Sequence, residues 1–531
     1  MAHDPLLIHP YYPIIYVRGY AFSQEEVNQT TEDPYMGFNL GATKRRREAY
    51  ADTERFVFES PLVRLMKDYG YEDVYVAGTE DFTELRAQSI VVYRYYEASD
   101  TELGAPTTTQ LLVGDLGGAE VMEQRAKGLA ALMWQVVAGV CGDDADLQRM
   151  CRVHLVAHSM GGLICRCLLQ KFGDSIRNAD GISLVEKIFT YATPHNGVDA
   201  FGWNAVVPPY FRRPVMKQYL NLVNTKGKPL PGPVNTLNNT FPPERLFCLV
   251  GTNARDYDVA SGFARRAAGE ASDGLVKIDN AKVEGARFAE IHRSHSGPHG
   301  IVNSSEGYEN LVRFLFGHVT VEGRVVIENA PQNPSGEGEY FVEATVATAG
   351  ETDSNLTEKK KDHWSAQWRG STDVLGTTGP PLFFVSFPKE GPHSEPTLFT
   401  VDLAISVSSP RSARSQALAN QFLFRKTVAL DIDRESLAIG YLFDDEAAFG
   451  GRQFSLAPLM DSAELPTRQV PLESANGFVG RLELRVLVEY DDTGASRQGR
   501  SIFGGGDSRT SARSRTRERI RTGVEAKGAR A

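Results

Sequence analysis

The stretch that decides the fold prediction is VHLVAHSMGGLI, residues 153–164. An apolar, strand-like run ends abruptly at Ser159, and after two glycines a helix-compatible run continues from Leu163 to Gln170. A strand, a sharp turn at a serine and a helix in this order are typical of a nucleophile elbow, which exposes the serine hydroxyl at the amino end of the helix. Ala157 and Gly161 stand where a larger side chain would clash across such a turn. Free N–H groups and the helix dipole favour a developing negative charge there.

The short motif alone does not distinguish an elbow from an ordinary turn in which a strand meets a helix at a Ser-Gly sequence. Patterns of this length have many false matches. A reactive serine also needs a base to accept its proton, usually a histidine that a carboxylate orients. Where such elbows occur, the chain order is serine, acid, histidine, so both partners are sought downstream of Ser159.

The best candidate for the acid is Asp273, in the sequence Ser-Asp-Gly-Leu-Val at 272–276. It lies in a loop after the strand-like run 245–251. A surface Asp-Gly turn is the alternative explanation of this sequence. Three other aspartates compete for the role: Asp256, Asp258 and Asp279.

The best candidate for the base is His295, in the sequence Arg-Ser-His-Ser-Gly at 293–297. It follows Asp273 by 22 residues, which leaves room for one short strand, predicted at 286–291. His299 also lies beside a glycine and an apolar pair, and it is the alternative base. Three further histidines are expected to be strand, packing or structural residues: His292, His158 and His195.

At these residues the chain resembles the bacterial lipases. AHSMGG at 157–162 resembles their nucleophile elbow. SDGLV at 272–276 is similar to the Asp-Gly-x-Val segment that carries their acid, and HSG at 295–297 is similar to their His-x-Gly loop. The resemblance therefore implies the same three residues as the search for an acid and a base.

Two further segments extend the resemblance. ATPHNG at 192–197 is similar to a lipase segment that shapes the site without reacting. IIYVRGY at 14–20 stands where lipases have an apolar strand ending in His-Gly, and here Arg18 replaces that histidine. The resemblance covers roughly residues 10–317 and implies an α/β-hydrolase fold and a serine hydrolase of the lipase or esterase type, with no metal or organic cofactor.

The predicted oxyanion hole consists of two backbone N–H groups. One belongs to Met160, the residue after the nucleophile, and the other to Tyr20, after the first strand. Loss of one such donor typically raises the barrier by roughly 2.7–4 kcal/mol. The replacement at Arg18 makes this loop the part of the site that departs from the lipase pattern.

The hydrophobic pattern divides the chain into three parts. In residues 1–317, apolar runs alternate with amphipathic helices, which predicts a mostly parallel sheet with helices on both faces. Segments 20–59 and 200–243 of this part are expected to be insertions that cap the site. In residues 318–503, apolar and polar residues alternate with a period of two, which predicts an antiparallel, sandwich-like β-domain. Residues 504–531 are rich in Gly, Ser and Arg and are expected to be disordered.

The composition bears on partners and compartment. A net charge of −10 over 531 residues argues against nucleic acid as a partner, except weakly through the Arg-rich tail, which would equally suit an acidic membrane surface or a solubilising role. Five cysteines without metal-ligand spacing fit a reducing compartment. No secretion signal and no run of about 18 apolar residues is visible, so a cytoplasmic location is expected.

Three hypotheses on function follow from the sequence. The favoured one is a lipase or esterase that acts on an ester or acyl-lipid substrate, with contact to a membrane surface as an option. The second is a phospholipase-type toxin or defence effector whose β-domain serves recognition or delivery. The third is a binding protein on a hydrolase scaffold, and the intact Ser159, Asp273 and His295 argue against it.

Overall fold

The structure is a computed structural model. It describes residues 9–19, 42–47, 53–58, 60–76, 79–95, 118–198, 208–256, 268–269, 271–297, 299–331, 339–348, 354–357, 368–371, 374–395, 397–408, 421–444, 454–460 and 465–489. All of them belong to one compact unit, Met1–Tyr490. Tyr20, Asp258 and the tail 504–531, about which the sequence makes predictions, lie outside the described residues, as do parts of both proposed cap segments.

Short strands and helices alternate in the first 316 residues. The strands are β1 (Ile14–Val17), β2 (Ala42–Arg47), β3 (Thr53–Phe58), β4 (Glu72–Asp73), β5 (Tyr75–Val76), β6 (Thr79–Glu80), β7 (Ser89–Tyr93), β8 (Val153–His158), β9 (Val185–Tyr191), β10 (Leu246–Gly251) and β11 (Arg287–Ile291). Two of the strand pairs, β2 with β3 and β5 with β6, are antiparallel. The α-helices of the described residues are α1 (Pro61–Tyr69), α2 (Gly118–Cys141), α3 (Ala145–Met150), α4 (Met160–Phe172), α5 (Arg213–Tyr219) and α6 (Ser305–Phe316). None of these helices is long and apolar enough to cross a membrane.

Seven of the strands form one sheet in the order β11-β10-β9-β8-β1-β7-β4, and every pair in it is parallel. Strands β9 and β10 are buried along their whole length, and β8 is buried up to its last residue. This burial explains why their sequences are continuous apolar runs rather than alternating ones. The strand that ends next to Ser159 is the central strand of the sheet, so the carboxyl ends of its neighbours lie at the same edge as the serine.

Two helices show how the local sequence sets the ends of elements. The Ser60 hydroxyl accepts a hydrogen bond from the Val63 N–H at 3.3 Å, Pro61 occupies the first turn, and Gly70 ends α1 in a left-handed conformation at φ 67°. At α6, the Ser304 hydroxyl accepts from the Gly307 N–H at 3.0 Å. The cap at Ser304 fixes the start of the helix that follows the loop of His295.

The C-terminal β region begins without a linker, because β12 starts at Gly317 directly after α6. Its strands are β12 (Gly317–Asn329), β13 (Glu339–Thr348), β14 (Ser354–Asn355), β15 (Trp368–Ser371), β16 (Phe383–Pro388), β17 (Leu398–Ser408), β18 (Gln421–Asp433), β19 (Ala438–Phe443), β20 (Ser455–Leu456), β21 (Thr467–Glu473) and β22 (Val479–Val488). They form a four-stranded sheet, β16-β12-β22-β21, and a second sheet, β14-β13-β17-β18-β19-β20, with β15 beside β13.

The two C-terminal sheets share one hydrophobic core, to which β12 and β22 contribute from one sheet and β13 and β17 from the other. All pairings within them are antiparallel. Every second residue of β13 is buried, as the period of two predicts. The predicted fold class, a mostly parallel α/β sheet followed by antiparallel β structure, is thereby confirmed.

The β region supplies an acid to two cations that lie on strands of the parallel sheet. Glu489, one residue beyond β22, forms salt bridges with Lys187 of β9 and, at 2.7 Å, with Arg287 of β11. Only 2% of the Lys187 side chain is exposed, and its ammonium also donates to the carbonyl oxygen of Phe314 at 2.8 Å. Removal from water raises the pKa of Glu489, but the charges and hydrogen bonds of Lys187 and Arg287 outweigh this and lower it to about 2.

A second polar contact joins the same two regions. His393, in the loop between β16 and β17, lies with its Nδ1 3.0 Å from the Tyr69 hydroxyl and its Nε2 3.1 Å from a carboxylate oxygen of Glu309. Both partners are buried, on α1 and α6 respectively. The parallel sheet and its helices therefore depend on groups from the β region to satisfy buried charges and polar atoms.

We expect Glu489→Gln to lower the free energy of unfolding by about 3 kcal/mol or more, because it leaves two buried cations without their carboxylate. The matched control is Glu395→Gln, which removes the partner of Arg434 at an exposed position and should cost less than about 1 kcal/mol. Urea unfolding measures both. Since the folded-state pKa of Glu489 is depressed, its contribution should be present above the ordinary glutamate pKa of 4.5 and disappear as the pH falls toward about 2. Equal losses in the two variants would contradict this account of the interface.

Candidate active site

The turn at Ser159 has the strained geometry of an elbow. Ser159 lies between the last residue of β8 and the first residue of α4, with φ 51° and ψ −120°. A positive φ is uncommon for a residue with a side chain and persists only where the surroundings enforce it. Here the Ser159 N–H donates to the carbonyl of Tyr191 on the neighbouring strand at 2.9 Å. The serine side chain is consequently held at the carboxyl edge of the sheet.

Two glycines allow the backbone to pass close to this turn. A Cβ on Gly161 would lie 2.2 Å from the carbonyl oxygen of Val17, so only glycine lets α4 pack against the end of β1. A Cβ on Gly19 would lie 2.8 Å from the Cβ of Ser159. The sequence predicts that position 161 needs a small residue. The structure explains this, because any side chain there would overlap the carbonyl oxygen of Val17.

Ser159, His295 and Asp273 form a continuous chain of hydrogen bonds. The Nε2 of His295 lies 3.0 Å from the Ser159 hydroxyl oxygen, and its Nδ1 lies 2.8 Å from Oδ2 of Asp273. A carboxylate only accepts, so Nδ1 carries the hydrogen in this pair and Nε2 presents its lone pair to the serine hydroxyl. The side chains of His295 and Asp273 are 4% and 1% exposed, so water competes little for these bonds.

The acid is itself held by the backbone around it. The second carboxylate oxygen of Asp273 accepts from the N–H groups of Val276 at 2.7 Å and Leu275 at 3.0 Å. Its main-chain carbonyl accepts from the His295 N–H at 2.9 Å. Asp273 thus contacts the base through its side chain and its main chain, and the loop after β10 fixes the loop after β11.

The alternative acids and base that fall within the described residues are not part of this series. His299 contributes its main-chain carbonyl to the Ser294 N–H at 3.1 Å, and the ring nitrogen near Ser159 is that of His295. The carboxylate of Asp256 accepts from the side chain of Asn253. Asp279 lies in a 3-10 turn, 278–281.

The remaining histidines have partners of their own. His292, expected within a strand, follows the last residue of β11. His195 is buried, with Nε2 3.1 Å from the Thr190 hydroxyl, in agreement with a structural role. His158, expected to be a pocket or packing residue, makes a specific contact: its Nε2 lies 3.0 Å from the carbonyl oxygen of His295.

The predicted oxyanion donors are only partly described. Met160 is the first residue of α4, where backbone N–H groups have no partner within the helix. Tyr20 lies outside the described residues, but Gly19 before it lies beside Ser159. The hydroxyl of Tyr95 donates to the carbonyls of Arg18 at 2.8 Å and Gly19 at 2.9 Å. Tyr95 thus anchors the loop after β1, a role that no pattern in the sequence indicates.

The arrangement suits transfer of a proton from a serine hydroxyl to a histidine whose opposite nitrogen faces a carboxylate. Within the ranges that the structure describes, there is no cluster of three or more His, Cys, Asp or Glu side chains placed to hold a metal ion. The chemistry that Ser159, His295 and Asp273 can supply together is nucleophilic attack assisted by a general base.

No protein-family model matches this sequence, and no curated protein matches it significantly. Among solved structures, the product of gene lin2722 from Listeria innocua is 12% identical, with a TM-score of 0.26, over 57% of this chain and 93% of that chain. A protein described as a "putative cell surface hydrolase from Lactobacillus plantarum WCFS1" is 12% identical, with a TM-score of 0.24, over 58% of this chain and 91% of that chain. TM-scores this low carry no information on the reaction of this chain.

Gly161→Ala should destabilise the protein by about 1–3 kcal/mol, because the new methyl group would overlap the Val17 carbonyl and push α4 away from β1. Gly173→Ala, just after the same helix, is the control, because a Cβ there meets no heavy atom within 4 Å. The control should be neutral or should stabilise by up to about 1 kcal/mol. Chemical unfolding compares the two variants, and an equal effect of both would rule out the close approach at Gly161.

Proposed function

We propose that this protein is a serine hydrolase that cleaves carboxylic esters, with Ser159 as nucleophile, His295 as general base and acid, and Asp273 as the orienting carboxylate. The observation that carries the proposal is the hydrogen-bonded series from Ser159 to His295 to Asp273, at 3.0 and 2.8 Å. The strained turn that presents the serine at the start of a helix supports it further.

In the proposed reaction, His295 accepts the proton of the Ser159 hydroxyl as the oxygen attacks the ester carbonyl. Asp273 holds the imidazole in the required tautomer and stabilises its protonated form. The backbone N–H groups of Met160 and Tyr20 would accommodate the oxyanion. His295 then protonates the departing alcohol, and a water molecule activated by the same histidine hydrolyses the acyl-enzyme to regenerate Ser159.

The choice of an ester as substrate, and of an acyl lipid among esters, rests on the resemblance of AHSMGG, SDGLV and HSG to the lipase motifs. The same three residues in other proteins act on thioesters and amides, so the substrate is the part that experiment must establish. A cytoplasmic location belongs to the proposal, and the five cysteines, all buried thiols, fit a reducing compartment.

A fluorophosphonate probe should label Ser159 stoichiometrically, because the elbow places the hydroxyl at the start of α4 and His295 activates it. Peptide mapping by mass spectrometry locates the adduct, and Ser159→Ala is the control that should remain unlabelled. A panel of esters, thioesters and amides with acyl chains of increasing length then identifies the substrate class. An adduct on another serine, or hydrolysis that survives in Ser159→Ala, would refute the proposal.

His295→Ala should lower kcat by several orders of magnitude, and Asp273→Asn by about 10⁴-fold, because the imidazole then loses its orienting charge. His299→Ala is the internal control and should retain most of the activity, since its ring is not the one beside Ser159. Steady-state kinetics on one short-chain ester compare the three. If His299→Ala is the inactive variant, the base has been assigned to the wrong histidine.

A further inference from the structure

His158 lies between the sheet and the loop of the base. It is the last residue of β8 and precedes Ser159 directly. Its Nε2 lies 3.0 Å from the main-chain carbonyl oxygen of His295, and the two imidazole rings are 5.1 Å apart between centroids. His158 therefore contacts the backbone of His295, and the side chain of His295 faces Ser159.

The partner of His158 defines its protonation state. A carbonyl oxygen only accepts, so Nε2 of His158 carries the hydrogen and donates it. Removal of the ring from water, followed by the proximity of His295, lowers the pKa of His158 to about 3. His158 therefore remains a neutral Nε2–H donor at every pH at which a histidine base could operate.

The main chain of His295 is held on both sides. Its N–H donates to the carbonyl of Asp273 at 2.9 Å, and its carbonyl accepts from His158. The side chain of Asp273 adds the 2.8 Å bond to Nδ1. Both contacts with Asp273 come from the loop that carries the acid. The contact with His158 comes from β8, the strand that ends at the nucleophile.

We propose that His158 is a positioning residue that fixes the distance between Ser159 and His295 by donating a hydrogen bond from the elbow strand to the His295 carbonyl. This inference rests on the proposed function. Because His158 is covalently next to Ser159, a displacement of the strand moves the nucleophile and the anchor of its base together. A misplacement of about 1 Å at a reacting pair can cost about 10²-fold in rate, so the contact has a direct consequence for turnover.

The test compares His158→Gln with His158→Met. Both side chains are unbranched and of similar length, but only the glutamine amide can donate a hydrogen bond near the position of Nε2. We expect His158→Met to lower kcat about tenfold at unchanged KM, and His158→Gln to remain within about threefold of the wild type. The rate of fluorophosphonate labelling at Ser159 should fall by the same factor in His158→Met.

Urea unfolding of each variant separates positioning from loss of folded protein. His158→Met should show its lower kcat under conditions in which it is fully folded, because the nucleophile and the base are then both present but misaligned. His158→Gln should be folded and retain its activity under the same conditions. A kcat that falls only in proportion to the unfolded fraction would contradict the positioning role.

Two further outcomes overturn the inference: equal loss of kcat in the two variants, or a His158→Met variant with the kcat of the wild type. If neither variant folds, nitrogen NMR of the wild type decides, because His158 should keep its hydrogen on Nε2 from about pH 5 to 8, and titration in that range would refute the donor role. Failure of the wild type to label at Ser159 or to cleave any ester refutes the proposed function itself, and is distinguishable from both outcomes.

Discussion

The hydrogen bond between the Ser159 hydroxyl and Nε2 of His295 depends on the geometry of the whole parallel sheet. The two residues are 136 positions apart, and they meet because β8 and β11 end at the same edge. The serine is held in its strained turn by the hydrogen bond from its N–H to the Tyr191 carbonyl, and Gly161 lets α4 approach the end of β1. The histidine is held by the acid on one side and by His158 on the other. The 3.0 Å contact between Ser159 and His295 therefore depends on β1, β8, α4 and the loop after β10.

The C-terminal β region has a physical role that its sequence pattern does not show. Glu489 forms salt bridges with Lys187 and Arg287 on two strands of the parallel sheet. His393 forms hydrogen bonds with Tyr69 on α1 and Glu309 on α6. All the candidate catalytic residues precede Gly317, yet a fragment ending there would lose both contacts and leave Lys187 buried without its acid. The β region therefore stabilises the catalytic part, whatever else it binds.

Much of the fold follows from the sequence because the signals are local. Continuous apolar runs predict buried parallel strands, alternation predicts the antiparallel sheets, and the step from strand to glycines to helix at Ser159 predicts the elbow. Asp273 and His295 could be singled out because each lies in a short motif at the end of a strand, and the structure places them in one hydrogen-bonded series.

What the sequence could not reveal are contacts between side chains and distant carbonyls or charges. Tyr95 donates to backbone atoms 76 and 77 residues away, and His393 lies 324 residues from Tyr69. Nothing in the local pattern around these residues marks them, because a histidine or tyrosine in a buried position fits ordinary packing equally well. Such contacts become visible only when the topology brings the segments together.

Under the proposed function, Ser159 carries an acyl group between the two halves of the reaction. Acid quenching during turnover of a slowly hydrolysed ester, followed by intact-mass and peptide mass spectrometry, detects this intermediate. We expect the protein to gain the mass of one acyl group and the peptide containing Ser159 to carry it. An enzyme that turns over the ester without any covalent adduct, or with the acyl group on another residue, would contradict the proposed function.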